Sequence, residues 1–180
     1  MRIWALLLVG LWLPLGALLG ARFPEVATVD GTPLTKLGEH RSSYKRLLPL
    51  YDIALFVEAG ASAAQVQARN CAFQIQFHYL RTIRKDTILR SADHVLRNNL
   101  SAAERQSIAA PSQQLHAHYR TVQRGDRAAL TYRPGHGTTF SFNAAPLITL
   151  PQPAFAEHYL KIWLGERPIS VKLRDDLLDR

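Results

Sequence analysis

Arg41 and Tyr51 are the two residues whose types and spacing point most directly to chemistry. Arginine keeps its charge and presents a planar fork of donors that matches a carboxylate or a phenolate. A tyrosine at the start of a strand can bury its ring while its hydroxyl donates to a ligand oxygen. The two lie ten positions apart, in Gly38-Glu39-His40-Arg41 and Tyr51-Asp52-Ile53-Ala54-Leu55-Phe56-Val57. If the chain hairpins or bends between them, both could face one cavity. The bland alternatives are a surface arginine and a core aromatic.

Other chemistry finds less support. The seven histidines are dispersed, and His116 and His118 are two apart, so on a helix they point to different faces. No pair has the spacing of a familiar zinc site, and neither a metal nor a cofactor is called for. Cys71 is the only cysteine, so the fold stands on its core without an internal disulfide, and the thiol reads as a small buried residue. No Gly-x-Ser-x-Gly elbow occurs. The glycines of Pro134-Gly135-His136-Gly137 lack the lysine and the following helix of a phosphate-binding loop. No catalytic residue stands out.

The elements that must position Arg41 and Tyr51 are legible in the hydrophobic pattern. Val26 to Val29 and Pro33 to Leu37 flank the turn pair Asp30-Gly31 and read as a hairpin. Tyr44 to Val57 is apolar, with Pro49 marking an edge or a bulge. Phe73, Ile75, Phe77 and Tyr79 alternate with Gln74, Gln76 and His78, which predicts a central strand with its aromatic face toward a helical layer. Ile88, Leu89, Ala92, Val95 and Leu96 keep helical spacing. Ser101-Ala102-Ala103-Glu104 is a capping box that starts a second helix, and Pro111 is expected to end or kink it. Leu115, Tyr119 and Val122 continue the helical pattern. Strands are expected over Ala128–Tyr132, Thr138–Phe142 and Pro146–Leu150, then helices over Pro153–Leu164 and Val171–Leu178. Short links between strands imply antiparallel pairing, and segregated runs of strands and helices indicate an α+β fold, a sheet with helices on one face.

These segments resemble the chalcone isomerase superfamily, in its bacterial, secreted, chalcone-isomerase-like branch. The resemblance rests on the Gly38–Arg41 and Tyr51–Val57 segments and on Phe73–Arg81 with Asp86. It continues through Asn143, Pro146, Pro153, Phe155-Ala156 and Ile162-Trp163-Leu164-Gly165 to Leu173–Leu178, over roughly residues 28–178. It implies an open-faced β-sandwich. It also implies that Arg41 and Tyr51 hold the anionic end of a ligand, as the corresponding pair does in fatty-acid-binding relatives. The chalcone-cyclising plant enzymes carry threonine in place of Tyr51, and no local motif fixes the rest of their site here. Tyr79, Tyr119 and Asn98 or Asn99 lie in plausible regions. Three readings stay open: a binding protein with little or no catalysis, an intramolecular lyase or isomerase acting on an enone phenol, and an interaction module without a ligand.

Compartment and partners follow from the ends and the charge. Met1-Arg2 precedes an apolar run from Ile3 to Leu19, and Gly20-Ala21 ends it. Residues 1–21 read as a secretory signal peptide, with a periplasmic domain over 22–180. The alternative is an uncleaved anchor; the run is near the lower limit of roughly 17–25 residues for a span, and Pro14 in its middle favours the signal. No lipobox cysteine follows. Net charge is +8 and the isoelectric point about 10.1. The basic residues are scattered, without the aromatic interleaving of a nucleic-acid module, so nucleic acid is not an expected partner. A small apolar anion is; the scattered charge reads first as a solvated basic surface, with peripheral contact at an anionic membrane as the alternative.

Overall fold

Strands that neighbour one another in sequence also neighbour one another in space. The computed structural model describes residues 22–45 and 47–180; residues 1–21, and with them the expected signal peptide, lie outside the described residues. The strands are β1 (Val26–Val29), β2 (Thr32–Tyr44), β3 (Leu48–Val57), β4 (Phe73–Tyr79), β5 (Arg127–Arg133), β6 (Gly137–Phe142) and β7 (Ala145–Leu150). Among the described residues they form one sheet in sequence order, each paired antiparallel with the next. Two-residue turns close the first and last hairpins. Asp30-Gly31 and Asn143-Ala144 both take positive φ at each position, the conformation that suits the twist of the flanking strands.

The helices are α1 (Ala63–Ala68), α2 (Lys85–Asn99), α3 (Ala102–Ser107), α4 (Ala109–His118), α5 (Pro153–Tyr159), α6 (Lys161–Leu164) and α7 (Val171–Leu177). They cover one face of the sheet. Period-two alternation sends Ile53, Leu55 and Val57 of β3 and Phe73, Ile75, Phe77 and Tyr79 of β4 into the large core beneath them. Ala54 and Phe56 point the other way, into a small cluster with Phe23, Ala27, Val29 and Leu34. The remainder of that second face is polar: Gln74 is buried, and its side-chain amide donates to Thr131 Oγ1 at 2.6 Å. The fold is the α+β arrangement that the pattern predicts, and β4 is the middle strand of the sheet.

Several boundaries differ from expectation, each for a local reason. β2 does not stop at Leu37 but runs through Gly38 to Tyr44, which puts Arg41 inside a strand. Gly38 is not a break. A Cβ there would lie 2.1 Å from the Asp176 carbonyl oxygen, so the glycine lets α7 lie directly on β2. His40 Nδ1, 2.7 Å from Asp176 Oδ2, ties the same two elements together. The Tyr44–Val57 stretch is the end of one strand, a turn and the start of the next. Pro49 pairs with Ser43 while Tyr51 pairs with Ser42, so Leu50 is the extra residue of a bulge. Pro111 occupies the first turn of α4, where its missing N–H costs nothing, and the break falls before it at Ile108. Tyr119 is the C-cap of α4, and Val122 pairs with Ile83 outside the helices. Pro153–Leu164 breaks at Leu160 into two short helices. The pattern gave no hint of α1, which opens on a capping box between Ser62 and Gln65.

Candidate functional site

A cavity of about 330 Å³ lies between the helix-facing side of the sheet and the helices. Alternate residues of β4, β5 and β6 form its floor, with Phe77, Leu130 and Phe140 prominent. Ala92 of α2 and Trp163 of α6 close it from above. Five tyrosines line it: Tyr51, Tyr79, Tyr119 and Tyr159 stand in a largely apolar wall, and Tyr44 is exposed at the rim. Lys45, Ser91, Arg120 and Ile169 line it and are also exposed, so they mark its mouth. No aspartate or glutamate is among the lining residues. The volume suits a small ligand, within the roughly 300–1,000 Å³ usual for such sites.

The structure places Tyr51 in this cavity and Arg41 outside it. Ser42 pairs with Tyr51 across β2 and β3, whereas Arg41 pairs with Asp52. One residue along a strand reverses the side to which a side chain points, so the two expected partners sit on opposite faces of the sheet. The Arg41 guanidinium grips Asp52 with both arms, Nε to Oδ1 at 2.7 Å and Nη2 to Oδ2 at 2.9 Å. Asp52 is 2% exposed, and Arg22 stands 3.6 Å from the same carboxylate. The hydrogen bond to Asp52 raises the Arg41 pKa. His78, opposite Asp52 on β4, has its pKa lowered by burial and by Arg127. The second face thus carries a satisfied charge cluster. Tyr51, on the cavity side, packs its ring edge-on against Phe77 and Tyr79, with centroids 5.8 and 6.2 Å away. Burial raises its pKa against an opposing hydrogen bond with Ser42, so its hydroxyl stays neutral and able to donate.

A second polar group includes Tyr119 and Tyr159 of the cavity wall and His116, which contacts Tyr159 from outside the lining. His116 Nε2 is 3.0 Å from the Tyr159 hydroxyl, and the Tyr119 hydroxyl is 3.3 Å from the same oxygen. Burial raises the pKa of both tyrosines, and for Tyr119 the neighbouring Tyr159 adds to it. Burial lowers that of His116, and the Lys85 ammonium lowers it further. All three groups are therefore neutral near pH 7. They can share protons among themselves and donate to a ligand oxygen, but they supply no positive charge. That charge stands at the mouth, where the Arg120 guanidinium lies 4.7 Å from the centre of the Phe142 ring. Among the described residues no group of three or more His, Cys, Asp or Glu is placed to hold a metal ion. Cys71 is buried, and burial raises its thiol pKa, which makes it a poor nucleophile.

The family profile described as chalcone isomerase-like matches residues 16–179, nearly the whole length. The chain belongs to the chalcone isomerase-like family. No curated protein matches it. Among solved structures it is similar to the Arabidopsis thaliana fatty-acid binding protein AtFAP1. The TM-score is 0.65 at 14% sequence identity, over 87% of this chain and 91% of that one. At this identity the likeness shows a shared fold.

In this chalcone isomerase-like chain the sequence pattern led to Tyr51 but not to most of its companions. Tyr79 and Tyr119, in regions that looked plausible, do line the cavity. Asn98 and Asn99 do not. Asn99 donates to the carbonyls of Val95 and Arg167, which tie the end of α2 to the loop before α7. Tyr159 was legible only as part of the Phe155–Tyr159–Trp163 helical stripe, which reads as core. Arg120 carried no signal, since it follows the end of α4 as one basic residue among many. Its value comes from the neighbouring strands, which place it beside Phe142.

Proposed function

We propose that this chalcone isomerase-like protein binds a small apolar molecule with one anionic group, with little or no catalysis. The cavity carries this reading: its interior is apolar, its hydroxyls are neutral donors, and its cations stand at the mouth. A fatty acid or flavonoid-like anion suits it, with the apolar body over Phe77 and Leu130 and the anionic group at Arg120 and Lys45. The fold shared with AtFAP1, a fatty-acid binding protein, supports the same ligand class. The apolar run of residues 1–21 supports export, which would place the folded domain in the periplasm. Native mass spectrometry of protein purified from its own periplasm, with calorimetric titration of fatty acids of graded length, tests the reading. A co-purifying apolar anion and a measurable binding heat are expected, on a chain that begins near Arg22. Intact Met1 on soluble cytoplasmic protein would overturn export; no bound species and no heat with any fatty acid would overturn binding.

The hydrogen-bonded His116–Tyr159–Tyr119 group favours one second reading, an isomerase that closes an enone phenol. In that reaction the phenol oxygen bonds to the enone carbon and the phenol proton ends on the adjacent carbon. Positioning, and donors aimed at the developing enolate oxygen, would supply most of the acceleration. Turnover of a chalcone, followed by loss of its enone absorbance and abolished in Tyr159→Phe, distinguishes this reading from simple binding.

A further inference from the structure

We propose that the mouth of the cavity docks on the surface of an anionic bilayer and that ligand enters there; this rests on the reading that the cavity takes an apolar ligand. Six large hydrophobic residues are exposed among the described residues: Val26, Tyr44, Leu47, Leu48, Ile169 and Val171. Single exposed hydrophobics are ordinary. Here Tyr44 and Ile169 line one opening, and Leu47, Leu48 and Val171 lie within four residues of them in the chain. Tyr44 lines the cavity from the end of β2, and Leu47 and Leu48 follow in the same hairpin. Ile169 lines it from the loop before α7, and Val171 begins that helix. Leu47 is 87% exposed and touches no core, so nothing within the described fold accounts for a leucine at that tip.

The charged side chains that line the opening are all basic. Lys45 and Arg120 line the cavity. A shallow depression beside it shares Thr87, Ser91 and Ile169 with the cavity and adds Arg90 and Arg167. Neither hollow has an aspartate or glutamate in its lining. Arg90 does reach Asp86, but Arg84 reaches the same carboxylate, so the positive charge there is in excess. Apolar tips ringed by cations match a bilayer interface, where leucine and tyrosine enter the headgroup boundary and basic side chains meet anionic lipid. A second copy of the chain fits less well, because a symmetric contact would set these cations against one another. Docking would also spare an apolar ligand the passage through water.

Co-sedimentation with vesicles tests the docking, with phosphatidylglycerol-containing vesicles set against pure phosphatidylcholine. The chain should bind the anionic vesicles preferentially and release on added salt. Leu47→Glu should lower partitioning by about tenfold or more, the equivalent of one inserted leucine side chain. Lys45→Glu should lower it as well, whereas Val26→Glu, on the far strand, should not. Equal loss in Leu47→Glu and Val26→Glu, equal binding to both vesicle types, or no vesicle binding overturns the proposal. So does a concentration-dependent dimer that Leu47→Glu abolishes in the absence of lipid. Fatty-acid titration of Leu47→Glu in vesicle-free buffer separates the two readings. Retained affinity with lost partitioning supports docking at an intact cavity. Retained affinity in a wild-type chain that ignores vesicles sinks the docking alone. Absence of fatty-acid affinity in the wild type sinks the cavity reading itself.

Discussion

Arg41 and Tyr51 are separated by a register offset of one residue, and that offset decides what each does. Tyr51 faces Ser42 and looks into the cavity; Arg41 faces Asp52 and looks away from it. Asp52 is 2% exposed and depends on Arg41 for two hydrogen bonds. Arg41→Ala should therefore act on stability. Removing one partner of a buried pair costs most when the remaining charge is sealed in. Here the arginine side chain is 43% exposed and Arg22 stands nearby, so a loss of about 1–3 kcal/mol is expected rather than the larger figure. Fatty-acid affinity of the variant should not change, which paired thermal melts and calorimetric titrations would check. Arg120→Ala should show the reverse, with stability kept and affinity for the anion lowered by about 0.5–1.5 kcal/mol, as for an exposed charged contact. The residue types suited to anion binding were readable from the sequence. That Arg41 turns to Asp52 and not to the cavity was not, because it depends on strand pairing across a bulge at Leu50 that only the folded hairpin defines.

At the scale of elements, the strands were more legible than the helices. Phe73–Tyr79 alternates cleanly because one of its faces is core and the other is polar. The helical layer is built of short pieces whose ends are set by contacts with the sheet, and single-sequence periodicity runs past such ends. Gly38 shows the same limit. In sequence it looks like the end of a strand, yet it is the contact point of β2 with α7. Gly38→Ala tests this contact. The added Cβ would meet the Asp176 and Leu177 carbonyl oxygens at 2.1 and 2.7 Å, both backbone atoms that cannot swing aside. The variant should lose about 1–3 kcal/mol, the usual cost of forced overpacking. The amides of α7 should also exchange faster than those of β4. Unchanged stability and unchanged protection of α7 would show that the close approach does not hold the helix in place.

Two half-buried imidazoles, His116 and His78, give the whole molecule a pH dependence with a defined sign. His116 contacts the cavity wall through Tyr159, and His78 belongs to the charge cluster around Asp52; burial is the main cause of the lowered pKa in both. A group whose pKa is lower in the folded chain binds its proton more readily in the unfolded one. Stability is then full above the unfolded histidine value of about 6.5 and falls as pH drops through it toward the folded value. Asp86, Asp126 and Asp176 also have lowered pKa values, but a carboxylate contribution fades only near and below about pH 4, so the range between about pH 7 and 5 reports the imidazoles. The wild-type melting temperature should fall across that range. His116→Gln keeps a hydrogen-bonding side chain beside Tyr159 and cannot titrate, so its curve should be flatter. His78→Gln, placed beside Gln76, should flatten it too, and the two effects should add because the sites lie on different faces and share no partner. A melting temperature that rises on acidification would mean that these imidazoles take up protons on folding. In that case His116 would be a cation against Tyr159 of the cavity wall, and the anionic end of a ligand would belong beside Tyr159 rather than at the mouth with Arg120.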